Sequence, residues 1–486
     1  MLDITWTAAL LFVLDWAVRL GFALHILLRR RSLAVTLIWV AMVLVIPVAG
    51  IVFYLLFGQV RVGEDRLVWS RRLTTDLFDA ATAHFRERGL IAELSGATDT
   101  AESAPLTGPV TGLPALRGND AQLVTTTDGF LDALIADIDG ASSFAFIQTY
   151  IWHRSARIEE VADALLRAAS RGVDCRILVD AMGSRRWLVS PSCDRLRKGG
   201  VRVVEELPVG LLRVLVRRLD VRNHRKITVI DARVAHVGSH NLTDTSFGTT
   251  GPGAVGPWLD ASVRLTGPIA QALGLVVLRD WAFDAREEPG PLDDMMPEVE
   301  PVHPGLVAQP LPSGPGVDAG AYEHAVLGML YTARREVLMT TPYFVPDEAL
   351  LGAMLAAARR GVRVALVLPK RNDSALVAAA ARSTYSSLLA GGVEIHEFRP
   401  CLLHTKAIVR DSRTALIGSG NLDIRSFRLN FELAVSVHDE RFARDVRTLI
   451  DGYLADSDRV DPERWRRVPA HQALRYNLAN LTSQIL

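Results

Sequence analysis

Two stretches of this chain place an imidazole and an ammonium group at the same spacing. "RNHRKITVIDARVAHVGSHN" runs from Arg222 to Asn241, and "LLHTKAIVRDSRTALIGSGN" from Leu402 to Asn421. Both read H-x-K-x4-D-x6-G-S-x-N, which sets His224, Lys226, Asp231, Ser239 and Asn241 against His404, Lys406, Asp411, Ser419 and Asn421. A neutral imidazole is a nucleophile near neutral pH, and an imidazolium is a general acid. A lysine two residues on supplies positive charge for a phosphoryl oxygen. Asn241 and Asn421 can donate amide hydrogens to the same oxygens, and Gly-Ser turns let Ser239 and Ser419 approach them. One set is half of a phosphodiester site, and two facing sets complete it. One histidine attacks phosphorus while the other protonates the leaving alkoxide. Two lysines and two asparagines then meet the charge at phosphorus, so the chemistry calls for neither a cofactor nor a metal.

A histidine in either role needs a carboxylate on its other ring nitrogen. Asp260 in "PWLDASVRL" and Glu432 in "NFELAVSV" follow their motifs at comparable places and are assigned as the orienting acids. Asp231 and Asp411 belong to the catalytic string, but they end their strands, where a turn or a surface ion pair is the expected role. His240 fills the variable position of the first turn, opposite Gly420 in the second, and receives no role.

The elements that hold these residues also repeat. "TYIWH" at Thr149 answers "TPYFV" at Thr341, and "RGVDCRILVD" at Arg171 answers "RGVRVALVLP" at Arg360. Short β-branched runs alternate with helical periodicities such as "EEVADALLRAASRG", which argues for an α/β sandwich in each half. "KITVID" and "KAIVRD" alternate as strands do, so His and Lys at i and i+2 face one way. The first half carries about 12 extra residues between Gly200 and His224. Within them Leu207–Leu219 reads as a short basic amphipathic helix suited to an anionic membrane surface.

Leu33–Phe57 is 25 residues without a charge, long enough to span a bilayer. Ile4–Leu28 is also apolar but carries Asp15, Arg19 and His25, the first two spaced to pair on one helical face. With Arg29, Arg30 and Arg31 between them, the two runs are expected to form a transmembrane helical hairpin, making the protein a multi-pass component of the cell membrane. No basic stretch precedes the first run, which disfavours a cleaved signal peptide. Arginines flank the second run on both sides, so the positive-inside rule leaves the membrane side open. The resulting division is an anchor over 1–60, a juxtamembrane segment and linker over 61–120, a first half over 121–290, a Pro-rich linker over 291–320, and a second half with a C-terminal segment over 321–486. Zero formal net charge weighs against a nucleic-acid partner. Three cysteines without CxxC spacing, Cys175, Cys193 and Cys401, point to neither disulfides nor zinc.

The paired strings resemble the signature of the phospholipase D superfamily. "YLLFG", "RNHRK", "TPYFVPDEAL", "GSGNLDIRSF" and "LNFE" are similar to its cardiolipin synthase branch. That resemblance implies two phospholipase D-like α/β halves, with His224 as nucleophile and His404 as acid. It also implies the reaction: a phosphatidyl group passes from phosphatidylglycerol to His224, releasing glycerol, and a second phosphatidylglycerol takes it to give cardiolipin. A phospholipase D hydrolase, a transphosphatidylase with another acceptor, a non-catalytic membrane scaffold and a nuclease remain as alternatives. Oligomeric state is left open.

Overall fold

The computed structural model describes residues 2–29, 33–46, 48–58, 64–92, 112–208, 221–251, 254–287, 297–315 and 320–483. They fall into two compact units, one built on residues 1–65 and the other on residues 66–208 and 222–483. Beyond Pro208, the amphipathic stretch read at 207–219 lies outside the described residues.

The larger unit is organised by one fifteen-stranded sheet. From one edge the first half contributes Arg202–Glu206, Asp174–Asp180, Phe144–Thr149, Ile227–Ile230, Val234–Gly238, Ser262–Thr266 and Leu116–Val124. The second half continues through Leu306–Ser313, Glu432–His438, Thr414–Gly418, Ala407–Arg410, Glu336–Thr340, Arg363–Pro369 and Glu394–Phe398, with Ser457–Arg459 added at the far edge. Read outward from the centre, the two orders are the same. The halves are therefore related by a pseudo-two-fold at the antiparallel contact Leu116↔Ala308 and Asn119↔Leu306. In each half a parallel βαβ run meets an antiparallel hairpin that carries the motif.

Local chemistry starts the helices. Ser155 caps Ala156–Ser170 by accepting from Ile158 N, and Asp347 caps Glu348–Arg359 by accepting from Leu350 N. Helices Pro268–Ala285 and Glu440–Ala455 supply one core with residues of both halves, including Val229, Val263 and Leu273 beside Val409, Leu433 and Val446. The halves thus share a hydrophobic interior.

Two boundaries differ from the sequence reading. Leu116–Val124 begins inside the stretch assigned to the first linker, and Leu306–Ser313 lies inside the Pro-rich one. Pro310 and Pro312 made the latter look like a connector, because proline cannot donate to a ladder. Here both lie in a strand paired along its length with Glu432–His438, at Val435↔Pro310 and Leu433↔Pro312, while pairing on its other side is confined to residues 306–308.

In the smaller unit, α1 spans Leu2–Leu27, α2 Leu33–Val45 and α3 Ala49–Phe57. The uncharged run is thus divided between two helices, instead of forming one. The Trp39 and Tyr54 rings stand 5.4 Å apart, and Trp39 and Phe53 6.0 Å apart, so α3 folds back on α2. Asp15 and Arg19 do form the expected ion pair on α1.

Candidate active site

His224–Lys226 and His404–Lys406 sit just before their strands, not within them as the alternation suggested. Each segment is held extended by the other half. His224 N donates to Phe431 O (2.8 Å), and Phe431 N to Arg222 O (2.9 Å). Conversely, His404 N and Thr405 N donate to Leu259 O (2.8 and 2.9 Å), and Leu402–Leu403 pairs with Trp258–Leu259.

The side chains cross in the same way. His224 Nδ1 lies 3.1 Å from both Oε1 and Oε2 of Glu432. His404 Nδ1 lies 2.6 Å from Asp260 Oδ1. Each histidine is therefore oriented by the carboxylate of the opposite half. With Nδ1–H given to a carboxylate, Nε2 is left with its lone pair for chemistry. Lys226 Nζ donates to His224 O (2.6 Å) and Lys406 Nζ to His404 O (2.7 Å), so each ammonium group is fixed beside its own histidine.

Ser239 and Ser419, read from the sequence as phosphate ligands, hold the carboxylates instead. Ser239 Oγ donates to Asp260 Oδ1 (2.6 Å) and accepts from Ala261 N (3.1 Å). Ser419 Oγ donates to Glu432 Oε2 (2.5 Å) and accepts from Leu433 N (3.0 Å). Both hydroxyls are fully buried and satisfied, which leaves them nothing for a substrate. The preceding glycines permit this. A Cβ on Gly238 would lie 2.4 Å from Ser262 Cα, and one on Gly418 2.3 Å from Leu433 O.

Asn241 fits the phosphate-binding role. Its Oδ1 accepts from Ile151 N (3.2 Å), while its buried Nδ2 has no hydrogen-bond partner among the described residues. A buried orphan donor of this kind is what an incoming phosphoryl oxygen would satisfy. Asn421 is the counterpart, with its Oδ1 and not its Nδ2 unpaired in the same sense.

Asp231 and Asp411 are removed from the catalytic set. Asp231 has φ +51° and accepts from the backbone N–H groups of Ser142, Ser143 and Phe144 at 2.8 Å each. Asp411, at φ +52°, accepts from those of Arg334, Arg335 and Glu336 at 2.7–2.9 Å. Each carboxylate pins the entry to a neighbouring strand at a turn that favours Asp.

Three features were not read from the sequence. The Tyr150 ring stands 5.1 Å from that of His224, with Lys226 Nζ 5.3 Å from the same tyrosine ring. Trp258 stands 4.2 Å from His404. Arg225, fully buried between the motif residues, bonds Asp280, donates to Glu432 O (3.0 Å) and donates to Ser313 O (3.1 Å), fastening the first motif to the second half. The aromatic "TYIWH" and "PWLD" runs carried the signal for the rings. His240, left without a role, stacks on Phe130 and shares a hydrogen bond with Ser262 Oγ (2.8 Å).

Burial governs the charge states. It lowers His224 to about 4 against the opposing pull of Glu432, and His404 to about 3 against that of Asp260. Burial also lowers Lys406 to about 8 and Lys226 well below the ordinary lysine value. For Asp260 and Glu432, burial works upward but is outweighed by His404 and His224 respectively, and both stay ionised. The site thus sets two neutral imidazoles on two carboxylates, beside two ammonium groups whose charged form an anion would favour. Among the described residues no three His, Cys, Asp or Glu side chains are grouped to hold a metal ion.

A two-fold α/β sheet with crossed His–carboxylate pairs and paired lysines defines a phospholipase D-like phosphoryl-transfer enzyme. The family described as "Cardiolipin synthase, PLD-like domain" matches residues 134–251 and 326–453, and "Phospholipase_D-nuclease N-terminal" matches residues 20–59. Cardiolipin synthase A of Serratia proteamaculans is 37% identical over 461 residues, and that of Yersinia pseudotuberculosis serotype O:1b 36% over 460, each alignment covering 93% of both chains. The phosphatidylserine synthase of Haemophilus influenzae Rd KW20 superposes with a TM-score of 0.57 over 79% of this chain and 100% of its own, at 14% identity, and so shares the fold. The chain belongs to the cardiolipin synthase family.

Proposed function

We propose that this protein is a membrane-bound cardiolipin synthase that moves a phosphatidyl group between two phosphatidylglycerol molecules through a phosphohistidine. Residues 1–60 serve as the anchor, and two phospholipase D-like halves follow. The observation that carries the chemistry is the crossed pair, His224 on Glu432 and His404 on Asp260. His404 first takes up a proton at Nε2 from solvent as the anionic diester binds; His224 Nε2 then attacks phosphorus, the P–O bond to glycerol breaks, and His404 gives that proton to the departing oxygen. A second phosphatidylglycerol then returns its hydroxyl proton to His404 as its oxygen displaces His224. Lys226, Lys406, Asn241 and Asn421 hold the non-bridging oxygens.

The two carboxylates differ in their surroundings. Glu432 is shared among His224, Ser419, Ser426 (2.9 Å) and Asn430 (3.3 Å), which spreads its charge and leaves His224 a free base. Among the described residues Asp260 takes side-chain hydrogen bonds from His404 and Ser239 only, and its charge opposes the burial that lowers His404. Arrival of the anionic phosphodiester favours the imidazolium further.

The protein works at the membrane. A multi-pass hairpin is what the sequence alone favours, and α1 is long and apolar enough for one crossing. The experiment is incubation of the purified protein with vesicles of labelled phosphatidylglycerol as sole substrate. Cardiolipin and glycerol in equal amounts are expected. Phosphatidic acid with glycerol would make it a hydrolase.

A further inference from the structure

The run Leu33–Phe57 is long enough to cross a bilayer as one helix, yet it does not fold as one. In a continuous helix Trp39 and Tyr54 would be about 22 Å apart along the axis. Their rings are 5.4 Å apart, and Tyr54 also meets Phe22 (6.3 Å) and His25 (6.2 Å) of α1. Gly50 sits at the fold-back, where a Cβ would lie 2.4 Å from Met42 O. At 13 and 9 residues, α2 and α3 are about 20 Å and 14 Å long, against a hydrocarbon core of about 30 Å, whereas the 26 residues of α1 reach about 39 Å.

The joint between α2 and α3 is finished as a bend at membrane depth must be. Irregular backbone there survives only when its polar groups are satisfied. Ile46 N donates to Met42 O (2.9 Å), Gly50 N to Ile46 O (3.0 Å) and Val52 N to Val48 O (2.9 Å). The Leu44 carbonyl, near the end of α2, accepts from Arg19 NH1 of α1 at 2.8 Å, and Asp15 neutralises that arginine. Arg19 is eight residues from the end of α1, about 12 Å along the axis, so the tip of the α2–α3 pair reaches about that deep. Further toward the start of α1, Trp6, Leu10, Leu11 and Phe12 remain 65–73% exposed, a surface suited to lipid.

We propose that this unit crosses the bilayer once, through α1, and that α2–α3 is a re-entrant hairpin entering and leaving on the face where α1 ends. The charge pattern then resolves. Arg29, Arg30 and Arg31 before the hairpin, and Arg61, Arg66, Arg71 and Arg72 after it, all fall on one side. By the positive-inside rule that side is cytoplasmic. The catalytic chain beyond Phe57 therefore works on the cytoplasmic leaflet, and the residues before Trp6 lie on the outer face. A hairpin of two crossings would put both on the same side. The inference is independent of the activity proposed above.

The test uses the full-length protein in its membrane, with a short epitope before Leu2 and another after Leu486. Digestion of the first in spheroplasts, and of the second only in inverted vesicles, is expected. Both epitopes on one face would establish two crossings, and a C-terminal epitope exposed in spheroplasts would reverse the side; either overturns the proposal. Independently, Trp39→Cys with Tyr54→Cys should be joined within one chain by a short thiol cross-linker. Two thiols that react with a monofunctional reagent but never link would place them on one straight helix.

Discussion

Glu432 holds His224 across 208 residues of sequence, both carboxylate oxygens lying 3.1 Å from Nδ1. Asp260 holds His404 in the opposite direction, across 144. Neither half contains a complete acid–base unit. The shared core and the exchanged backbone bonds at Phe431 and Leu259 keep the two crossings in register. Orientation of each imidazole thus depends on the docking of the halves.

Glu432→Gln and Asp260→Asn are expected to fail at different steps. Loss of the orienting carboxylate frees the wrong tautomer, which in comparable triads lowers turnover by as much as about 10,000-fold. Glu432→Gln acts on His224, so rapid quenching should find little phosphoenzyme. Asp260→Asn acts on His404, so with a lipid whose leaving group needs no proton the phosphoenzyme should form at close to the normal rate. Equal loss in both variants on that lipid would contradict the crossing.

The histidines themselves should separate likewise. His224→Ala leaves no nucleophile and no phosphohistidine. His404→Ala keeps the nucleophile but loses general acid catalysis, worth roughly 100- to 10,000-fold. Acid-labile label on residue 224 in His404→Ala is the expected result. Label on Cys401 would refute the assignment.

Much of this site was legible because its chemistry is local: His-x-Lys and the Gly-Ser turn are short strings repeated on a repeated fold. The partners were not, since spacing names Asp260 and Glu432 but cannot say which half each serves. The serines were misread for a related reason. A Gly-Ser turn looks like a phosphate cradle, and only the close packing at Ser262 and Leu433 shows the hydroxyl turned toward a carboxylate. Leu306–Ser313 was hidden by its prolines, and the fold-back of α3 on α2 by unbroken hydrophobicity, which carries no information on direction.

Alkaline pH should reduce kcat/KM as Lys406 loses its proton. Burial brings its value down to about 8, and Asp260, Glu432 and Asp373 oppose that. Asp373 accepts from the Tyr343 hydroxyl (2.9 Å). Asp373→Asn removes part of the opposing field, so the ammonium is lost earlier and the alkaline limb moves to lower pH. A limb that does not move would assign the titration to another group.

Chelation of divalent ions should leave turnover intact on vesicles matched for ionic strength. Lys226 and Lys406 already stand beside the two histidines, where the charge at phosphorus develops. Turnover abolished by chelator and restored only by a metal would show that the lysines do not suffice.

Asp231 tests the distinction between holding the site and acting in it. Its carboxylate accepts three backbone N–H bonds and one from the Ser142 hydroxyl, all at 2.8 Å. Asp231→Ala strands those donors, at roughly 1–3 kcal/mol for each that stays buried, and leaves alanine at a positive φ. A clear fall in unfolding midpoint is expected, with kcat/KM of the folded fraction within about twofold of the parent, because ±0.4 kcal/mol is all that such a change represents. The pH dependence has a definite sign. Burial works to raise the Asp231 carboxyl, but the N–H groups of Phe144, Ser142 and Ser143 outweigh it and lower the value in the folded state. Its contribution is therefore present above the unfolded carboxyl range and is lost as pH falls through the lowered folded value. Asp231→Asn, which tolerates the same turn but cannot ionise, should flatten the acid side of the stability profile at this point. If instead the folded Asp231→Asn enzyme loses phosphoenzyme formation, the residue takes part in the chemistry and returns to the catalytic set.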